Sequence, residues 1–147
     1  MEGARRTRSI ATHVERKSRY LLAAKLQDKK AGTMTEQSAK FFSSIAETFR
    51  QTLTVYGKEF SQFKKLEKQI GLSVYFADPY AAWQRGTNEN TNGILRFYFP
   101  KGTDFRKVSD KQIESVVGKI NNRPRKCLNY RTPNEVMLEA QRGALAI

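Results

Sequence analysis

The stretch WQRGTNENTNG, residues 83–93, carries the densest group of side chains suited to chemistry. Glu89 is its carboxylate, and Arg85, Asn88 and Asn92 lie near it at helical spacing. On a helix this spacing places the four side chains on one face. A carboxylate beside amides and a guanidinium can bind a divalent cation and contact a phosphate. An exposed helix start rich in capping residues accounts for the same pattern equally well.

A basic strip, NNRPRK at residues 121–126, is the second candidate. Its cations Arg123, Arg125 and Lys126 can contact phosphate groups, although many solvated loops have the same composition. The chain of 147 residues carries a net charge of +13, which is more than solubility requires. Such an excess favours a polyanionic partner, most often nucleic acid.

Other reactive residue types are sparse. His13 is the only histidine and Cys127 the only cysteine, so no internal disulfide or cysteine-based zinc site can form. His13 adjoins Val14 in a predicted strand, which is typical of a structural histidine. No Walker loop or GxGxxG motif occurs. No apolar run reaches the roughly 18 residues of a membrane span. We therefore expect a soluble cytoplasmic protein with no membrane partner.

Hydrophobic periodicity predicts the elements that position these residues. Strands are expected at 8–15 and 19–26, joined as a hairpin by the turn ERKS, and at 51–56 and 72–77. Helices are expected from Thr33, over 59–70 up to Gly71, from Trp83 or Asn88 to Phe99, from Ser109, and briefly from Thr132. Three capping boxes support these starts: Thr33 with Glu36, Ser109 with Gln112, and Thr132 with Glu135. The order predicts one α/β domain over residues 1–147, with a mixed sheet flanked by helices.

Two stretches closely resemble the integrase-type core of DDE transposases from bacterial insertion sequences. They are FADPYAAWQRGTNENTNGILRFYFPKGTDF and NNRPRKCLNYRTPNEV. ERKSRYLLAAKL and TLT followed by GKEF are similar to the same family, so the resemblance spans roughly residues 3–138. It implies an RNase H-like enzyme that cuts and joins DNA strands. Two divalent ions, Mg²⁺ or Mn²⁺, held by two aspartates and one glutamate, support that reaction.

The resemblance places Glu89 at the position of the family's catalytic, metal-binding glutamate. It also implies a set of DNA contacts, namely Lys58, Arg85, Asn88, Asn92, Arg123, Arg125 and Lys126. Both family aspartates are missing, however. The second belongs to an Asp-Asn-Gly-Lys-Glu-Phe run, but here Tyr56 leads directly into Gly57. In the family the first follows a Glu-Gly pair on the opening strand, but here Glu2-Gly3 leads directly into Ala4-Arg5-Arg6, as though that strand had been deleted.

These departures predict a truncated core that lacks its first, central strand. They also predict that one carboxylate does not hold the metal ions stably, because ligand number and charge set the affinity. The leading interpretation is an inactive derivative of an insertion-sequence transposase. The alternative is a non-catalytic nucleic-acid-binding or regulatory fragment that interferes with an intact transposase. The expected partners are DNA and either further copies of this chain or an intact transposase. An unrelated RNA-associated protein is disfavoured, since the aromatic residues have core spacing rather than that of a stacking platform.

Overall fold

Four strands form two small sheets in the computed structural model, which describes residues 9–27, 30–43, 52–55, 62–71, 73–76 and 86–145. Strands β1 (Ser9–Val14) and β2 (Leu21–Leu26) make the predicted antiparallel hairpin, with Ser9 opposite Leu26. Strands β3 (Thr52–Val55) and β4 (Ser73–Phe76) pair in parallel. No backbone ladder joins the two sheets within the described ranges. Residues 1–8 lie outside those ranges, so the absence of a first central strand stays a prediction.

Five helices accompany the strands in the part of the chain that the structure describes. They are α1 (Ala31–Ser43), α2 (Phe63–Ile70), α3 (Gly86–Tyr98), α4 (Asp110–Asn121) and α5 (Pro133–Leu145). A single 3-10 turn, Lys126–Leu128, lies between α4 and α5. The antiparallel sheet, the parallel sheet and the helices beside them confirm the predicted α/β class.

Local capping decides where two of these helices begin. Ser109 Oγ accepts from the Gln112 N–H at 3.2 Å, and Gln112 Oε1 accepts from the Ser109 N–H at 2.8 Å. Thr132 and Glu135 form the same reciprocal pair at 3.2 and 2.7 Å. Each pair satisfies two amide donors that a helix start leaves free, so both predicted capping boxes are confirmed. The last helix is longer than the short segment expected, since it continues for 13 residues.

The third predicted capping box is wrong. Helix α1 begins at Ala31, and the Met34 N–H already donates to the Lys30 carbonyl at 3.2 Å. Thr33 therefore lies inside the first turn and does not cap it. The predicted end of α2 is confirmed at Gly71. Its φ of 66° lets its N–H donate to the Glu67 carbonyl at 2.9 Å. A left-handed residue of this kind is the common helix stop.

The hydrophobic core joins the β1–β2 hairpin to α3 and α4. Its fully buried members come from all four elements and the connection between the helices: Ile10, Leu21, Leu95, Phe99, Phe105, Ile113 and Ile120. The rings of Phe99 and Phe105 meet edge to face at 5.9 Å. Burying side chains of this size stabilises a fold by about 1.5–3 kcal/mol each, so this cluster fixes the two helices against the hairpin.

Candidate nucleic-acid interface

Glu89 lies in the first turn of α3 with its side chain exposed to solvent. The two asparagines predicted to share its face are less exposed than Glu89. Asn92 is half-buried, and its Oδ1 accepts a hydrogen bond from Thr12 Oγ1 of β1 at 3.0 Å. Asn88 is also half-buried, and its Oδ1 has no hydrogen-bond partner among the described residues. The structure therefore engages the Asn92 amide with the hairpin and leaves Glu89 exposed.

Two further predicted contacts, Arg85 and Lys58, lie outside the described residues. Residues 1–8 and Tyr56, where the sequence departs from the family pattern, lie outside them too. Within the described ranges, no three His, Cys, Asp or Glu side chains come together as metal ligands do. Glu89 as described here does not by itself fit a two-ion site, which needs several oxygen ligands. None of the helices described is both long and apolar enough to cross a bilayer.

The turn between β1 and β2 places Arg19 in contact with the start of α3. The Glu15 carboxylate accepts from the Lys17 N–H at 2.9 Å and from the Ser18 N–H at 2.6 Å. Arg19 follows in the left-handed region at φ 61°, an uncommon conformation for a residue with a side chain. Its Nη1 donates to Thr87 Oγ1, two residues before Glu89 in the first turn of α3. The sequence predicts a polar turn at ERKS and places Arg19 at the start of the following strand, with no contact assigned to it, so sequence reasoning misses this candidate site residue.

Asn121, the first residue of the basic strip, anchors the loop that follows it to the same end of the hairpin. Its side chain is only 2% exposed. Asn121 Oδ1 accepts from the Leu21 N–H at 2.8 Å, while Nδ2 donates to the Leu21 carbonyl at 2.9 Å. The amide thus satisfies both backbone groups of the first residue of β2. Residues 122–132, here called the basic loop, therefore start beside the turn that carries Arg19.

The basic loop is closed by its own backbone. The Arg125 N–H donates to the Arg131 carbonyl at 3.0 Å, and the Tyr130 N–H donates to the Arg125 carbonyl at 2.9 Å. Asn129 and Tyr130 both adopt left-handed φ values, of 54° and 64°. A left-handed backbone raises the conformational energy of an L-residue by roughly 1–2 kcal/mol, and asparagine adopts it more often than tyrosine does. The strained loop holds the Tyr130 ring 71% exposed, beside the cations of the strip.

Arg125 lies within electrostatic reach of two other guanidinium groups, those of Arg123 and Arg19. We call these three residues, from two chain segments, the arginine cluster. Burial lowers the pKa of Arg125, and the charges of Arg123 and Arg19 lower it further. Arg125 Nε is buried without a hydrogen-bond acceptor among the described residues. Since like charges repel, such a cluster is best stabilised by a bound anion, and a phosphate matches guanidinium donors in charge and geometry.

A groove of about 490 Å³ adjoins the cluster and runs along the exposed side of α3. Its lining, which defines the α3 groove, consists of Asn90, Gly93, Ile94, Phe97, Tyr98 and Arg123. Phe97 is 83% exposed, and its ring meets the edge of Tyr98 at 5.3 Å. The expectation that the aromatic residues serve the core is therefore wrong at Phe97. Arg123 belongs to both features, so the groove and the arginine cluster are continuous.

Known proteins with similar sequences are transposases. The chain is 39% identical over 140 residues to the transposase for insertion sequence element IS1086 of Cupriavidus metallidurans. It is 40% identical over 129 residues to the transposase InsI for insertion sequence element IS30A of Escherichia coli. These alignments cover 95% and 87% of this chain but only 41% and 34% of the two relatives. No protein-family model matches the chain.

The fold has a counterpart among solved structures. The catalytic core domain of BIV integrase superposes with a TM-score of 0.71 at 17% sequence identity. The match covers 96% of this chain and 91% of that domain. At this identity the likeness concerns the fold alone, and it confirms the RNase H-like architecture expected from the resemblance.

Proposed function

We propose that this chain, a homologue of insertion-sequence transposases with the fold of a retroviral integrase catalytic core, is a DNA-binding protein of the transposition and integration machinery. The single observation that supports this most is the arginine cluster, in which Arg19 also donates to Thr87 in the first turn of α3. Three guanidinium groups without a carboxylate partner among the described residues need an anion, and the chain carries a net charge of +13. A DNA backbone supplies phosphates at regular spacing along such a surface.

Within this proposal, the basic loop and the turn before β2 hold the DNA strand beside the first turn of α3. Arg123 and Lys126 are exposed and can reach phosphates directly, whereas Arg125 is held partly inside the loop. In a complete family site, Mg²⁺ or Mn²⁺ would activate the attacking oxygen. We propose that this chain binds DNA without cutting it, because Tyr56 alone stands between Val55 and Gly57, where the family has an aspartate and an asparagine.

Salt dependence of DNA affinity tests the binding proposal. We expect fluorescence anisotropy with a labelled duplex to show affinity that falls steeply with salt, because each phosphate contact releases counterions. Arg123→Gln should reduce the slope of log K against log salt by about 1. Arg106→Gln is the matched control, since that guanidinium is already paired with Asp104 at 2.7 Å and should not contribute. An unmodified chain with no DNA affinity at low salt would contradict the proposal.

Metal titration tests the second half of the proposal. We expect calorimetric titration with Mn²⁺ to show no binding that depends on Glu89 up to about millimolar metal, because one carboxylate is too few ligands. The unmodified chain and Glu89→Ala should therefore give the same heats, and neither should cleave or join DNA strands. Tight binding that Glu89→Ala abolishes would show that other carboxylates complete the site, and the chain would then have to be treated as a nuclease.

A further inference from the structure

The exposed aromatic ring of Phe97 has no role in the fold. A phenylalanine 83% exposed on a helix loses the benefit of burial, and the hydrophobic core on the opposite side of α3 is complete without it. Its neighbours in the α3 groove are apolar or small, apart from the amide of Asn90 and the guanidinium of Arg123. A mostly apolar groove with a few converging polar groups is the usual form of a binding site for a small planar group.

The charge of the chain indicates what the groove takes. A second copy of this protein would bring another +13 charges to a surface that already carries Arg123 and the arginine cluster. Two such surfaces repel each other, which disfavours a symmetric dimer across the groove. An anionic occupant is attracted by the same charges. The groove and the proposed phosphate site are continuous through Arg123, so one ligand can occupy both.

We infer that the α3 groove and the arginine cluster together bind one unpaired nucleotide of a DNA strand, with its base in the groove and its phosphate at the cluster. The base stacks on Phe97, and the Asn90 amide lies in the groove to bond to a base edge. Arg123 stands between the two parts and contacts the phosphate. This inference rests on the proposed DNA binding and adds that the site prefers a strand whose bases are free to leave the stack.

The groove has room for a base. Gly93 lines it together with Phe97, and a Cβ built at Gly93 would meet nothing within 4 Å, so the space at that position is open. A volume of about 490 Å³ is enough for a planar base. Glu89 precedes the groove residue Asn90 directly, so the unpaired nucleotide would lie next to the position of the family glutamate.

Phe97→Ala is the decisive variant, because the ring is exposed and its removal should leave thermal stability unchanged. We expect anisotropy to show about tenfold weaker binding of a single-stranded oligonucleotide, the effect of losing one base–aromatic stack. Affinity for a blunt duplex of the same length should change less than about twofold. Leu138→Ala is the matched control: that side chain is 52% exposed on α5 and outside the groove, so both affinities should persist.

A second experiment measures stacking of the base directly. An oligonucleotide that carries the fluorescent base 2-aminopurine should be quenched on binding to the unmodified chain and less so on binding to Phe97→Ala. The inference is overturned if Phe97→Ala keeps its single-strand affinity and quenching, or if it loses single-strand and duplex affinity equally. It is also overturned if Phe97→Ala only dissolves a dimer seen by sedimentation. If the unmodified chain binds neither DNA, the proposed function itself fails, which is a different result.

Discussion

Replacing Asn121 by alanine is expected to lower the free energy of unfolding by about 3 kcal/mol. The substitution removes both partners of the Leu21 backbone, which lies at the buried start of β2. A buried N–H and a buried carbonyl without partners each cost on the order of 1–3 kcal/mol, and a small cavity adds to the loss. Urea denaturation followed by circular dichroism measures the effect as a lower midpoint with an unchanged slope.

Asn122→Ala is the matched control for this prediction. Asn122 is the next residue, but it is exposed, and its Oδ1 only accepts from Asn134 Nδ2 at 2.7 Å on the surface. Asn122→Ala should therefore lower the free energy of unfolding by less than about 1 kcal/mol. Equal effects of the two substitutions would mean that the paired hydrogen bonds to Leu21 are not what holds the basic loop to the hairpin.

Acid should destabilise the fold through His13 before most carboxylates are protonated. This histidine is buried in β1, where its Nε2 lies 3.0 Å from Ser38 Oγ and its ring meets Phe41 edge to face at 5.4 Å. Burial lowers the pKa of His13 from 6.5 to about 4. The unfolded chain therefore takes up a proton that the folded chain refuses, so the stabilisation is complete above the unfolded pKa of 6.5 and is lost as the pH falls from there toward about 4.

The expected loss between about pH 7.5 and about pH 5 is about 2 kcal/mol, and it approaches about 3 kcal/mol near the folded pKa. His13→Gln retains a hydrogen-bonding group of similar reach but cannot titrate, so its stability should change less over the same interval. Urea midpoints of both proteins across this range measure the difference. Parallel curves for the two proteins would show that His13 does not titrate differently on folding.

Local patterns predicted the elements well where the deciding interactions were local. Ser109 and Gln112 are three residues apart, so their reciprocal bonds can be read from the sequence, and the same holds for Thr132 with Glu135. The Gly71 stop is equally local. The capping-box motif at Thr33 and Glu36 gave a wrong start for α1. The helix begins earlier, at Ala31, where the Met34 N–H donates to the Lys30 carbonyl. A motif shows that a cap is possible but not that the helix uses it.

The candidate site was predicted only in part, because its geometry depends on distant segments. Helical spacing placed Asn92 beside Glu89, but the bond from Thr12, 80 residues away, draws Asn92 toward the hairpin. The hydrogen bond from Arg19 to Thr87 could not be predicted, because the two residues are 68 positions apart and no local pattern links them. The basic strip was identified from its composition, while its position follows from Asn121. Charge and residue type predicted a nucleic-acid partner, whereas the relative positions of Arg19, Asn92 and the basic loop became known only from the tertiary structure.

The hydrogen bonds that tie the hairpin to the rest of the fold also bear on how the chain folds. Besides the bonds from Thr12 and Arg19, Leu21 pairs with Asn121 and Lys25 with Val108, across 100 and 83 residues. During synthesis the hairpin therefore leaves the ribosome long before its partners exist. Such non-local closure slows folding and leaves the apolar side of an early hairpin open to wrong contacts. We expect refolding to be slow and chaperone demand to fall once α4 has been translated.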